Sequence, residues 1–239
     1  RVIDLVQGNG FAKQGYPARA LFSIPFVGIN EKGNPVCINE KGQATVGDLN
    51  FQERNNTDYL IYEGSTDPIY NGSLGNTFNY KGFHLNLFLT YAFGNVVRLD
   101  PVFKAKYNDL TSMTHDFKNR WMQPGDENVT NVPGVVSRYE YEQNRTLLST
   151  AYNAYNYTSV RTAKGDFIRL KEISLAYDFP HRWLENSPVN NISLKLQATN
   201  LMLLYADKKL NGQDPEFMNA GGVASPMPKQ FTLTLKLGL

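Results

Sequence analysis

Hydrophobic and polar residues alternate in the stretch "YKGFHLNLFLTYAFGN", which covers residues 80–95. Every second position from Phe83 to Phe93 is an apolar or aromatic residue. The positions between them are His84, Asn86, Phe88, Thr90 and Ala92. Side chains of a β-strand point alternately to its two faces, so the stretch predicts a strand with one apolar face and one mostly small or polar face.

The same alternation recurs in four further stretches, residues 69–80, 166–180, 190–200 and 229–239. In the last of them one face would carry Phe231, Leu233, Leu235, Leu237 and Leu239. A less regular strand is predicted over residues 16–30, and residues 2–6 have the pattern of the end of another. The chain is therefore predicted to be an all-β protein built from antiparallel strands.

Short and long connections alternate between the predicted strands. Residues 80–83 form a tight hairpin and residues 181–190 a modest turn, whereas the segments 31–68, 98–164 and 204–227 are long. Outer-membrane β-barrels have short turns on the periplasmic side and longer loops on the extracellular side. This layout predicts that the long segments are extracellular.

The longest of these segments is predicted to contain a helix. Asp100 is a good N-cap and Pro101 suits the first helical position. Aromatic and apolar residues then recur at steps of three and four residues or their sums, at Phe103, Tyr107, Leu110, Phe117 and Trp121. The pair Pro124-Gly125 would end the helix.

Two environments explain alternating strands. In a soluble β-sandwich the apolar row packs on a second sheet and the other row is solvated and usually rich in Lys and Glu, whereas here the second rows are mostly Asn, Thr, Ser, Gln and Gly. The strands are about ten residues long, which is the length that crosses a bilayer when tilted. Aromatic residues near the strand ends match the interfacial girdles of a barrel. A transmembrane barrel is favoured, and a soluble extracellular β-sandwich that binds carbohydrate is the alternative.

Composition adds few constraints. The 239 residues carry a net charge of +2, and Cys37 is the single cysteine, so neither a nucleic-acid partner nor an internal disulfide is indicated. The sequence has no apolar run of about 18 residues, so no transmembrane helix is predicted. The sequence contains no nucleophile, metalloprotease or P-loop motif, so we expect neither enzymatic activity nor a cofactor or metal site.

The sequences of the strands and their order along the chain resemble those of a known family. The segment "DPIYNGSLGNTFNYKGFHLNLFLTYAFGN", then Arg120-Trp121, "FIRLKEISLAYDFP", Asp214-Pro215-Glu216 and the terminal "PMPKQFTLTLKL" are similar, in the same order, to SusC/RagA-like TonB-dependent outer-membrane transporters. The resemblance covers nearly all of the chain. It implies a location in the cell outer membrane as a multi-pass β-barrel.

The resemblance also implies what the rest of the protein is. Residues 1–239 would be the C-terminal portion of a barrel of about 22 strands, and the plug domain would lie outside this chain. The whole protein would be an active importer of oligosaccharide or oligopeptide nutrients. It would be driven by TonB acting on the plug and covered by a SusD-like surface lipoprotein.

Candidate site residues fall into two groups. Tyrosine rings and neighbouring amides suit sugars or peptides, and the aspartates could line a polar pocket or bind a cation. The substrate- or partner-binding candidates are Trp121, Tyr152, Tyr155, Tyr157, Asp207 and Asp214. Loop packing explains the tyrosines equally well, and turn formation around Pro215 explains the two aspartates better. The residues predicted to face the lumen are His84, Asn86, Thr90, Gln197, Thr232 and Thr234.

Overall fold

The computed structural model describes residues 1–8, 12–108, 110–185, 188–218 and 227–238. The chain divides into two compact units. One unit, here called the loop unit, comprises Arg1–Asp67 and Asn95–Lys164. The other, called the sheet unit, comprises Pro68–Gly94 and Gly165–Leu239.

The described residues are predominantly β-structure with few helices. The strands are β1 (Ala20–Ser23), β2 (Phe26–Ile29), β3 (Pro35–Ile38), β4 (Ala44–Thr45), β5 (Ile61–Ser65), β6 (Tyr70–Tyr80), β7 (Phe83–Phe93), β8 (Val96–Arg98), β9 (Thr162–Lys164), β10 (Phe167–Asp178), β11 (Asn191–Ala206) and β12 (Gln230–Gly238). The α-helices are α1 (Val2–Val6), α2 (Arg138–Gln143) and α3 (Arg145–Asn156). Short 3-10 helices lie at His115–Asn119, Asp126–Asn128, Ser159–Arg161, His181–Trp183, Lys208–Leu210 and Pro215–Phe217. No helix in the described part of the chain is long and apolar enough to span a membrane.

The sheet unit is one five-stranded antiparallel sheet with the order β12-β11-β10-β7-β6. Its strands are 11, 11, 12, 16 and 9 residues long for β6, β7, β10, β11 and β12. The five alternating stretches of the sequence are thus confirmed as strands. The last predicted position, Leu239, lies outside the described residues. The sheet stays open, with β6 and β12 as its edges.

One face of this sheet is apolar and uncovered. The register aligns Phe78, Leu85, Leu175, Leu196 and Leu233 across the strands. The side chains of Phe78, Leu175, Leu196 and Leu233 are 45–69% exposed. A soluble sandwich would bury such a row under a second sheet, but the described residues place no second sheet over it.

The predicted hairpin between β6 and β7 is confirmed. Its two turn residues, Lys81 and Gly82, both have positive φ, at 45° and 84°. A two-residue turn of this kind matches the twist of the strands that it joins. A side chain at position 82 would also meet the carbonyl oxygen of Asp178, 2.9 Å from the ideal Cβ. The longer connections leave the sheet at its other end, after Phe93 and after Ala206.

The loop unit has its main apolar core around α1 and β1. Val2, Leu5 and Val6 belong to one buried cluster with Phe22 and Cys37. The prediction of a strand at residues 2–6 is therefore wrong, because spacings of three and four residues place these side chains on one side of a short helix. The strand predicted over residues 16–30 is divided into β1 and β2.

The helix predicted to start at Asp100 is also wrong. Of the described residues between Asp100 and Trp121, which exclude position 109, only His115–Asn119 form a short 3-10 helix. The side chain of Asn156 forms hydrogen bonds with both the N–H and the C=O of Phe103, at 3.0 and 2.8 Å. These backbone groups therefore do not pair within a helix. The aromatic rings of Phe103, Tyr107 and Phe117 do cluster, with centroids 5.3–6.4 Å apart, but on an irregular backbone.

The helices of the long connection come later instead, as α2 and α3. Ser137 caps α2, because its side chain accepts a hydrogen bond of 3.2 Å from the N–H of Glu140. Ser followed by Glu three residues later is a helix-start signal that the sequence contained. The segment "YNAYNYTSV", residues 152–160, carries the three candidate tyrosines and begins within α3.

Candidate binding site

The six residues predicted to face a lumen share one face of the sheet unit. The register aligns Thr77, Asn86, Ser174, Gln197 and Thr232 in one row across all five strands. His84 and Thr234 lie in the neighbouring row, and Thr90 lies further along the same face of β7. The structure thus separates these residues from the leucines on the opposite face. That this face lines a lumen stays a prediction.

His84 is held by hydrogen bonds on both sides of its ring. Nδ1 lies 2.6 Å from Oδ1 of Asn79, and Nε2 lies 2.9 Å from Oδ2 of Asp178. These partners fix the imidazole within the polar face. Neighbouring strands are thereby tied together through their side chains as well as their backbones.

A buried ion pair attaches the segment after β11 to the polar face. Arg169 lies opposite Thr90, and its Nη2 donates to both carboxylate oxygens of Asp214 at 2.6 Å. Asp214 is fully buried, and Glu216 adds a second carboxylate 3.3 Å from the same nitrogen. Both oxygens of the Asp214 side chain therefore stabilise the position of this segment against the sheet. Asp207 has a similar local role, because it accepts a hydrogen bond of 2.9 Å from the N–H of Lys209 at the start of a 3-10 helix.

Two tyrosines proposed as ligand contacts lie in the interior of the loop unit. α3 turns Tyr152 and Tyr155 inward, and they are 1% and 2% exposed. The hydroxyl of Tyr152 donates to the carbonyl of Gly134 at 2.6 Å, and the ring of Tyr155 lies 5.0 Å from that of Phe103. Burial raises the pKa of both hydroxyls above their ordinary value. Tyr157 is half-buried, with the Arg98 guanidinium 5.9 Å from its ring centre.

Trp121 holds a turn together. Its Nε1 donates to Oε2 of Glu127 at 2.9 Å, and its ring packs so closely on Gly33 and Gly134 that neither position has room for a Cβ. The hydrogen bond from Trp121 lowers the pKa of the Glu127 carboxyl. A packing role accounts for Trp121 in this unit.

The loop unit contains a cleft that the sequence did not indicate. Its volume is about 300 Å³. We call it the lysine cleft, and it is lined by Pro101, Phe103, Lys104, Ala105, Lys106, Tyr141, Ser149, Tyr152, Asn153 and Asn156. The Nζ of Lys106 lies 5.8 Å from the ring centre of Tyr141. Neither lysine stands out in the sequence, because only the irregular path of residues 101–106 brings them to α2 and α3.

A second cleft of about 260 Å³ lies in the same unit. We call it the asparagine cleft, and it is lined by Asn30, Lys32, Asn34, Val46, Glu140, Asn144, Leu147 and Leu148. Among the described residues, no group of three or more His, Cys, Asp or Glu side chains could hold a metal ion. The structure therefore offers polar clefts in the loop unit and a polar sheet face, each suited to non-covalent binding.

Comparison with known proteins gives relatives by sequence. The chain is 27% identical over 192 residues to the TonB-dependent receptor P39 of Formosa agariphila, a match of 75% of this chain. It is 26% identical over 160 residues to the TonB-dependent receptor P3 of the same organism, a match of 64% of this chain. The matches span 17% and 13% of the length of those receptors. No family model matches the chain.

The fold is similar to that of solved structures. A chain of the RagAB peptide importer in its closed-closed state matches with a TM-score of 0.63 and 20% identity, over 93% of this chain and 23% of that one. The open-open state of the same importer matches with a TM-score of 0.61 and 19% identity, over 94% of this chain and 23% of that one. The resemblance indicated by the sequence is therefore confirmed: the relatives of this chain are TonB-dependent receptors, and its fold is that of part of the SusC/RagA-like RagAB importer.

Proposed function

We propose that residues 1–239 form the C-terminal portion of the β-barrel of a TonB-dependent transporter in the outer membrane. The observation that carries the proposal is the sheet unit, which has one uncovered apolar face and one polar face. Lipid is the environment that makes an uncovered leucine row favourable, because it removes that row from water. The relatives and structural neighbours support the same conclusion.

The dimensions of the sheet fit a bilayer. A ten-residue segment of antiparallel strand is about 34 Å long, and a tilt of about 40° reduces its height to about 25 Å. That is the height of the apolar band on outer-membrane barrels. Strands of 9–16 residues therefore suffice to cross the membrane.

The open sheet requires further strands. Unpaired backbone groups at the edges β6 and β12 would each cost several kcal/mol in lipid. A closed barrel removes both edges, and barrels that hold a plug have about 22 strands. We therefore place the remaining strands and the plug elsewhere in the same transporter.

The connections define the proposed orientation. The hairpin at Lys81-Gly82 and the connection of residues 179–190 lie at one end of the sheet, and the segments 95–164 and 207–229 leave from the other. Short turns are periplasmic in such barrels and long loops are extracellular. Residues 95–164 would then be exposed to ligands and to a SusD-like lipoprotein that covers the barrel.

The substrate class is inferred from the resemblance to SusC/RagA-like transporters. The transported nutrient would be an oligosaccharide or an oligopeptide, with TonB acting through the plug to supply energy. Tyr152 and Tyr155 contribute to the core of the loop unit, so alanine at these positions would test folding and not binding. Exposed residues of the loop unit are the better probes of partner and substrate contacts.

The experiment is fractionation and uptake with the full-length protein. We expect it in the outer-membrane fraction, extracted only by detergent and co-purified with a surface lipoprotein. Deleting its gene, or the gene for TonB, should abolish growth on one class of oligomeric nutrient. A protein that is soluble and monomeric in plain buffer would refute the proposal and support a secreted carbohydrate-binding sandwich instead.

A further inference from the structure

We propose that the lysine cleft of the loop unit binds an acidic saccharide residue, one that carries a carboxylate or sulfate group. The inference rests on the proposed function, because the saccharide would be part of the imported oligomer. It goes further in naming the place of binding and the charge of the ligand.

The cleft has an apolar floor and a polar rim. Phe103, Ala105 and Tyr152 are buried beneath it, while Lys104 and Lys106 are exposed at its edge. Its volume of about 300 Å³ is at the small end of the range for small-molecule sites. This arrangement suits one sugar ring with its substituents directed toward the rim.

Positive charge converges on the rim. Lys104 and Lys106 lie on one wall and Tyr141 on the other. Arg145, the first residue of α3, lies outside the lining of the cleft. Neither lysine forms an ion pair with a carboxylate of any described residue. The pKa of the Tyr141 hydroxyl is lowered by its hydrogen bonds to Ser149 and Arg145 and by the charges of Arg145 and Lys106, which agrees with positive charge beside the cleft. An anion placed here meets attraction from the two lysines of the rim.

The remaining polar groups match sugar hydroxyls. Tyr141 and Ser149 pair their hydroxyl oxygens at a loose 3.3 Å, so both retain capacity for other partners. The side chain of Asn153 is exposed and makes no hydrogen bond within the described part of the chain. A peptide would seek free backbone groups of a strand edge, but two helices and an irregular segment form this cleft. These features favour a saccharide over an acidic peptide.

The asparagine cleft provides an internal contrast. It holds Lys32 as well as Glu140, so opposite charges line the same space. A preference for anions is therefore not expected there. Lys32 supplies a matched control, because it is an exposed lysine at the edge of a cleft of similar volume.

The test measures ligand binding to the full-length transporter in detergent. The probes are trigalacturonate, a sulfated galactotriose, neutral galactotriose and an acidic tripeptide. We expect either anionic sugar to bind at least tenfold more tightly than the neutral one, with a preference that declines as salt is added. The double variant Lys104→Gln/Lys106→Gln should lose that tenfold preference, whereas Lys32→Gln should keep it.

Three results would overturn the inference. They are equal binding of charged and neutral sugars by the unchanged protein, a preference that survives the double variant, and tighter binding of the acidic peptide than of either anionic sugar. A comparison of the two anionic sugars identifies the favoured group. Outer-membrane location and TonB-dependent growth are measured on the same variants. These two measurements test the proposed transporter function separately from the proposed ligand of the lysine cleft.

Discussion

At the scale of single residues, Asn156 decides the path of the backbone at the start of the long connection. Its side-chain amide lies at the end of α3, is 3% exposed and pairs with both backbone groups of Phe103. An amide can satisfy one donor and one acceptor at once, which allows Phe103 to be buried without a helix. The lysine cleft depends on this path.

Replacing Asn156 with alanine should loosen that segment. Two buried backbone groups would lose their partners, at a cost of about 1–3 kcal/mol each. Trypsin should then cut after Lys104 and Lys106 at least about tenfold faster, since 1.4 kcal/mol corresponds to a factor of ten in the open population. Asn153→Ala, an exposed asparagine on the same helix, is the control and should leave the rate unchanged. Equal rates in both variants would contradict the role given to Asn156.

The alternation of side chains between the two faces of β12 gives a second prediction for single residues. Leu233 lies on the apolar face opposite Leu196, and Thr232 lies on the polar face opposite Gln197. Arginine at position 233 should cost about 2–4 kcal/mol if that face meets the bilayer midplane. Arginine at position 232 should be tolerated in a hydrated lumen. Urea unfolding of the full-length protein in lipid vesicles measures both, and similar costs for the two variants would argue against the assigned faces.

At the scale of elements, Arg169 and Asp214 connect the segment after β11 to the sheet. Both side chains are buried, so the loss of one partner leaves an uncompensated charge. Arg169→Met should lower the free energy of unfolding by about 3–5 kcal/mol. The double variant Arg169→Met/Asp214→Leu should recover most of that loss, because a hydrophobic pair of similar volume is often neutral or stabilising. Urea midpoints of the full-length protein in micelles report the difference, and a double variant as unstable as the single one would contradict it.

The elements also show which parts of the fold the sequence could predict. The strands of the sheet unit were predictable because alternation is a local property, and the Lys81-Gly82 turn carries its own signal. Most of the loop unit was not, although β1 and β2 lie within the strand predicted over residues 16–30. The spacing of Phe103, Tyr107 and Phe117 arises from packing between segments and not from a helical backbone. α2 and α3 were missed, although the spacing of Ser137 and Glu140 is a start signal for α2.

The candidate site was predictable only in part. The polar face of the sheet follows from the same alternation, so His84, Asn86 and Gln197 could be placed together from the sequence. The lysine cleft could not, since its walls come from residues about 40 positions apart that only tertiary packing brings together. Tyr152 and Tyr155 have a composition that suits ligands, yet their three-residue spacing on α3 directs both into the core.

At the scale of the whole molecule, the proposed function depends on one physical claim. The claim is that the sheet of β6, β7, β10, β11 and β12, whose leucine face is exposed, separates lipid from water with that face outward. The proposed barrel, the orientation of the long connections and the access of ligands to the loop unit all follow from that claim. All three would be wrong if the leucine face lined the lumen or if both faces of the sheet were exposed to water.

Site-directed cysteine labelling of the full-length protein in native outer membranes tests this claim most directly. Cysteines are placed singly at Leu196 and Leu233 on one face and at Gln197 and Thr232 on the other. Cys37 is buried and burial raises the pKa of its thiol to about 12, so it should stay unreactive and need not be replaced. The account predicts that positions 196 and 233 react only with a membrane-soluble maleimide, and that positions 197 and 232 react with a water-soluble one. Reaction of the leucine positions with the water-soluble reagent would contradict it.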